Sequence, residues 1–127
     1  DKKSLGLNFP NIPYLLDGDF NLTESAAIQR YIIKKWGKNE LLGKDIKDNA
    51  QIESLISIIG EIAGGVKGLF WNKEHETARV GVLEKFSAKL DLLEKTLGGK
   101  DFALGYLTLV DFIIAEDSYY IEAVFPG

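Results

Sequence analysis

Asn8-Phe9-Pro10-Asn11-Ile12-Pro13-Tyr14-Leu15-Leu16-Asp17-Gly18, with Leu22-Thr23-Glu24-Ser25-Ala26-Ala27-Ile28 close behind it, decides how this chain is read. Ile12 to Asp17 is apolar and strand-like. Asp17-Gly18 is a hairpin-turn signal, because the central positions of such turns favour residues that tolerate positive φ. Phe20-Asn21-Leu22 is then a short return strand. Thr23 is the expected N-cap of a helix, with Glu24 adding negative charge to its first turn. Ile28, Tyr31, Ile32 and Trp36 follow at helical spacing, and Gly37 sits where a C-terminal glycine cap belongs. A hairpin opened by X-Pro and followed by an acid and a hydroxyl at a helix start can hold a peptide-like ligand carrying both a carboxylate and an ammonium.

Working outward, residues 1–10 read as an irregular lead-in, and residues 38–45 as a linker. Beyond it the pattern changes. Ile52, Leu55, Ile56, Ile59, Ile62, Ala63, Val66 and Phe70 recur every three or four positions, which predicts a long helix from Ile46 to about Phe70. Gly60, Gly64 and Gly65 lower its local propensity and invite a bend or close packing. A polar break over 71–75 precedes a second helix from about Glu76 to Leu97, with Val80, Leu83, Phe86, Leu90, Leu93 and Leu97 on one side and Gly98-Gly99 at its end. Thr108-Leu109-Val110-Asp111 has the pattern of a capping box with Asp in place of Glu, opening a helix to about Val124. The chain thus divides into a β-β-α piece over 1–37, a linker over 38–45 and an all-helical domain over 46–127. A lone hairpin with one helix is marginal, so the first piece is expected to pair with something, most simply a preceding strand-helix-strand unit.

Composition bounds the function. A hydrophobic content of 46% and a charged content of 27% are ordinary for a globular protein. No apolar run is long enough to span a bilayer, and the start lacks a signal-peptide core. The net charge of −4 and scattered lysines argue against a nucleic-acid footprint. The absence of cysteine excludes disulfides and a cysteine nucleophile in these residues. The absence of methionine leaves no initiator residue, so the chain is expected to be processed or a piece of something longer. Metal-ligand spacing, a phosphate loop and a catalytic-triad pattern are all missing.

Leu5 through Leu15 resembles the mu-type glutathione transferases, and Phe102-Ala103-Leu104-Gly105 with Leu107-Thr108-Leu109-Val110-Asp111-Phe112 is similar to that family's helical-domain signature. The resemblance implies an α+β fold: the later half of a thioredoxin-like domain (β-β-α), then an all-α glutathione-transferase C-terminal domain. It implies glutathione as substrate, a hydrophobic electrophile, no metal, a homodimer and a cytoplasmic protein without nucleic-acid or membrane partners. The bond before Pro13 would be cis, aiming the Ile12 backbone at the cysteinyl residue of glutathione, with Asn11 beside it. Ser25 would meet the γ-glutamyl carboxylate and Glu24 the γ-glutamyl ammonium, Lys2 the glycyl carboxylate. Glu53 would reach the ammonium across the dimer interface, and Phe9 would insert into the partner subunit. Thr108 and Asp111 would form a structural cap.

The resemblance also implies what is not in the chain. The family's catalytic tyrosine lies near the end of a first strand that would precede residue 1. Tyr14 follows Pro13 on a different strand and cannot replace it, nor are Tyr106, Tyr119 or Tyr120 candidates. A tyrosine that many members carry in the first long helix aligns near Ala63, which implies an altered electrophile pocket. Plainer readings stand beside these. Glu24 and Ser25 alone are helix-start residues, Phe9 alone is a core or loop aromatic, Glu53 is a solvated helix residue, and His75 is a solvated loop residue. The function expected is conjugation of the glutathione thiolate to hydrophobic electrophiles. The alternatives are a non-catalytic assembly module of the same fold and a glutathione-dependent isomerase.

Overall fold

The computed structural model describes residue 4, residues 6–7 and residues 9–126. Two strands, β1 (Tyr14–Asp17) and β2 (Phe20–Thr23), are followed by α1 (Ser25–Lys35), a short 3-10 helix (Asn39–Leu42), α2 (Ile46–Leu69), α3 (His75–Leu97) and α4 (Leu109–Val124). The chain separates into two compact units that meet between Leu42 and Gly43.

In the first unit β1 and β2 pair antiparallel, with Tyr14 opposite Thr23 and Asp17 opposite Phe20. Gly18 supplies the positive φ of the turn, at 58°. Two expectations are corrected at the ends of this hairpin. The strand begins at Tyr14 rather than Ile12, because the proline ring has no N–H to give to a ladder. Thr23 is the last, buried residue of β2, not a helix cap. Glu24 takes the N-cap position instead, so it lies before the first turn of α1, which contains no acidic residue. At the other end Lys38 N–H donates to Ile33 O at 2.9 Å and Gly37 N–H to Lys34 O at 3.2 Å. With Gly37 at φ 67°, this is a Schellman closure.

The second unit is held by α2, which packs against α4 and α3. Its core is Ile52, Ile59, Ala103 and Val110, with Leu55, Ile56, Leu93, Leu97, Ile113 and Ile114 packed around them. Full burial of each such aliphatic side chain is worth about 1.5–3 kcal/mol. Asp45 caps α2, accepting from Lys47 N at 2.8 Å and Asp48 N at 2.9 Å. The glycines of α2 singled out by sequence, Gly60, Gly64 and Gly65, act differently. A Cβ on Gly65 would lie 2.4 Å from Phe86 Cε2, so this glycine lets α3 approach, whereas a Cβ on Gly60 or Gly64 meets nothing within 4 Å.

The apolar side expected along α3 is covered only in part. Phe86 is buried and Leu93 and Leu97 are packed, but Val80 and Leu83 are exposed, at 56% and 47%. Periodicity names the residues able to pack; the neighbouring helices decide which of them do. His75 is the first residue of α3 rather than part of a loop, and its Nε2 lies 3.5 Å from Glu76 Oε1.

Between α3 and α4 a single carboxylate organises the loop. Asp111 Oδ1 accepts from Ala103 N–H at 2.8 Å. Asp111 Oδ2 accepts from Thr108 N–H at 2.7 Å and Thr108 Oγ1–H at 3.0 Å. Thr108 caps the Asp111 backbone in return, and its side chain is fully buried.

Candidate functional site

The chain leaves the hairpin through an unusual backbone. Glu24 has φ 73° and ψ 113°, and it is the one non-glycine residue with positive φ among the described residues. Such a conformation costs of order 1–3 kcal/mol and concentrates at functional sites. Its effect is geometric. The strand ends at Thr23, the backbone reverses at Glu24, and α1 starts at Ser25 with its first turn exposed.

No side chain caps the first amides of α1. Unpaired N–H groups and the positive end of the helix dipole suit an anion there. Beside them stands the Glu24 carboxylate, which accepts from Asn11 Nδ2 at 3.4 Å. That contact brings the segment before β1 alongside the segment after β2. The Ile12–Pro13 peptide bond is cis, and Asn11, Ile12 and Pro13 are exposed on the same edge of the unit, Ile12 at 72%. Five expected site residues therefore gather: Asn11, Ile12, Pro13, Glu24 and Ser25. Together they offer an acid, an amide, a hydroxyl, exposed backbone and a helix N-terminus, a set complementary to an amino-acid head group with both charges.

Phe9 is 77% exposed. Glu53 is half-buried on α2 in the second unit, where its backbone oxygen accepts from Ser57 Oγ at 2.9 Å. Lys2 lies outside the described residues. Among the described residues no group of three or more His, Cys, Asp or Glu could hold a metal ion, and no helix is long and apolar enough to cross a membrane.

Two tyrosines are committed elsewhere. Tyr31 donates to Asp17 at 2.5 Å, and that hydrogen bond raises its pKa above the usual tyrosine value. Tyr106 donates to Asp48 at 2.5 Å; burial first and then that bond push its pKa up. Both hydroxyls stay protonated, and both already donate to a carboxylate. The Asp17–Tyr31 contact extends to Lys35, whose ammonium pairs with the same Asp17 oxygen. Asp17 is held below the usual carboxylate range, first by the Lys35 hydrogen bond and then by that from Tyr31. Sequence reasoning missed this trio. Its only signal is Tyr31 and Lys35 at i, i+4 spacing, one helical turn apart on one face.

In the second unit a cavity of about 540 Å³ opens between α2 and the ends of α3 and its loop, with Asp48, Gln51 and Lys100 on its wall. Ser54 and Thr96 also line it.

Comparison with known proteins places this geometry. The family profile described as "Glutathione S-transferase, N-terminal domain" matches residues 2–34. The chain is 42% identical over 117 residues to a glutathione S-transferase class-mu 26 kDa isozyme of Schistosoma mansoni, covering 91% of this chain and 52% of that protein. It is 39% identical over 116 residues to the class-mu 26 kDa isozyme of Schistosoma japonicum, covering 91% and 52%. Against glutathione S-transferase Mu 1 of Bos taurus it is 33% identical over 117 residues, again covering 91% and 52%. The crystal structure of the glutathione S-transferase Blo t 8 superposes with a TM-score of 0.82 at 30% identity, covering 98% of this chain and 59% of that one. The chain spans about half the length of the curated relatives it matches. Its fold is thus the β-β-α part of a thioredoxin-like glutathione-transferase domain followed by helices of the C-terminal domain.

Proposed function

We propose that this chain, similar in sequence and fold to the mu-like glutathione transferases, carries the γ-glutamyl and backbone side of a glutathione site in a protein that conjugates the glutathione thiolate to hydrophobic electrophiles. The observation that carries the reading is the reversed backbone at Glu24. It sets an uncapped helix start and a carboxylate side by side, within reach of Asn11. Ser25 and the first amides of α1 hold the γ-glutamyl carboxylate, and Glu24 takes the ammonium through a charge-assisted hydrogen bond. The exposed Ile12 backbone pairs with the cysteinyl residue as an added strand would, with Asn11 and Pro13 shaping that edge. Lys2 meets the glycyl carboxylate, and Glu53 reaches the ammonium from the partner subunit of a cytoplasmic homodimer into which Phe9 inserts.

The chemistry is the stabilisation of a thiolate. A free thiol is mostly protonated near neutral pH, so a hydroxyl that donates to the sulfur favours the anion and raises the reactive fraction. In this reading the residues of this chain bind and orient the tripeptide, and the donor comes from the family tyrosine that the resemblance puts before residue 1. Binding is tested by retention of the full-length protein on immobilised glutathione. The Glu24→Ala/Ser25→Ala double variant should lose roughly tenfold or more in affinity, two charge-assisted contacts being removed. Unchanged retention refutes the assignment. Turnover of a generic aryl halide by the full-length protein separates a transferase from a non-catalytic assembly module.

A further inference from the structure

Within the first unit the proposed half-site is split between two segments. Asn11–Pro13 precede β1, and Glu24 and Ser25 are the N-cap and first residue of α1. Both β1 and α1 run away from the site, as their contacts record. Near the site, Asn11 touches Glu24. At the far end, Asp17, the last residue of β1, meets Tyr31 and Lys35 in the second half of α1. The Tyr31 ring also lies 5.0 Å, centroid to centroid, from that of Phe20, the residue paired with Asp17 across the turn.

Two arms joined near the site and tied again at their far ends keep a set angle to each other. The tie is multiple: one carboxylate takes a hydroxyl and an ammonium, while an aromatic contact fixes the ring that bears the hydroxyl. The near ends are joined by the Tyr14–Thr23 pair, next to Pro13 and Glu24, and by the 3.4 Å contact between Asn11 and Glu24, while the far-end tie fixes the direction in which α1 leaves them. We infer that Asp17, Tyr31 and Lys35 are positioning residues for glutathione, holding α1 at the angle to the hairpin that aims Ser25 and the first α1 amides at the γ-glutamyl arm while the Ile12 edge meets the cysteinyl backbone. They touch no part of the ligand. The inference rests on the glutathione reading above.

The test measures glutathione affinity and steady-state kinetics of the full-length protein. Tyr31→Phe keeps the ring against Phe20 and removes the hydroxyl; it should raise the glutathione Kd and KM roughly fivefold, the equivalent of one modest hydrogen bond, while kcat at saturating glutathione holds. Lys35→Met should act in the same direction and Lys35→Arg should restore wild-type affinity. In a Ser25→Ala background, where the γ-glutamyl arm is already released, Tyr31→Phe should cost less than about twofold, because positioning has nothing left to position. Equal losses in both backgrounds, or none in either, overturn the positioning role. Lys35→Met, at an exposed ion pair, decides the matter if Tyr31→Phe does not fold. Failure of the wild-type protein to bind glutathione overturns the parent reading. Binding that Ser25→Ala weakens but neither Tyr31→Phe nor Lys35→Met affects overturns this one alone.

Discussion

Removing the Asp111 carboxylate should unlatch the loop that precedes α4. Its two oxygens take three hydrogen bonds, from Ala103 N–H, Thr108 N–H and Thr108 Oγ1–H, at 2.7–3.0 Å. Ala103 and Thr108 are both buried, so Asp111→Ala strands two backbone donors away from water. Each such donor costs about 1–3 kcal/mol, and lost capping costs about 0.5–2 kcal/mol more. Allowing for relaxation of the exposed part of the loop, the loss should be about 3–5 kcal/mol. For a helical unit of this size that corresponds to a fall in melting temperature of at least about 12 °C. Asp111→Asn keeps one oxygen acceptor and should fall between. Asp101→Ala, an exposed residue of the same loop, is the control and should stay within about 0.5 kcal/mol of the wild type. Urea denaturation followed by far-UV circular dichroism gives the numbers. A loss below about 1 kcal/mol for Asp111→Ala would refute the reasoning, since it would mean that water satisfies both donors.

Two glycines of α2, Gly65 and Gly60, make an opposed pair. Gly65→Ala puts a Cβ 2.4 Å from the buried Phe86 ring and should destabilise by about 1–3 kcal/mol, whereas Gly60→Ala meets open space and should stabilise by about 0.5–1 kcal/mol through helix propensity; thermal melts of both decide. Gly43→Ala combines φ 109° with a Cβ 2.6 Å from the backbone nitrogen of Asn49, so the start of α2 should fray, seen as lost amide-exchange protection over its first turn. The Asp17 trio should give the first unit two pH edges. With its folded pKa lowered, Asp17 contributes stability that is present above the ordinary value of 3.8 and lost as pH falls through the folded value. Tyr31 and Lys35, raised from 10.0 and 10.5, contribute stability that is complete below those values and lost as pH rises past the folded ones. Ring-proton shifts of Phe20 and Tyr31 should move at both edges, and Asp17→Asn should flatten them; unchanged shifts across the whole range would contradict the contact.

Several elements were legible because their causes are local. Asp17-Gly18 announces a turn through backbone preference, and the Phe20 strand and the Ser25 helix follow from it. The repeat from Ile52 to Phe70 predicts α2 to within a residue of its last, Leu69, since helical periodicity is a property of the segment itself. Gly98 and Gly37 mark helix ends for the same reason. The misread positions depend on neighbours. Thr23 has the chemistry of an N-cap, but its pairing opposite Tyr14 draws it into the strand and moves the cap to Glu24. Val80 and Leu83 belong to the apolar side of α3 by spacing, yet the fold leaves about half of each exposed.

For the candidate site the division is the same. Asn-Ile-Pro at the opening of a strand and Glu-Ser at a helix start were readable as the two halves of a ligand cradle, because each half is a short local motif whose residue types carry their own chemistry. Their meeting was not readable. The positive φ at Glu24, the reach of Asn11 to its carboxylate and the closure of Asp17 onto Tyr31 and Lys35 join residues 13 to 18 positions apart. The sequence by itself determined which segments form helix, strand and turn and which chemical groups stand at their ends, since those follow from short-range sterics and periodicity. Only the tertiary structure decided which of those ends face one another, because that depends on how the hairpin twists and where α1 lies on it, a balance of packing and hydrogen bonding that no single segment contains.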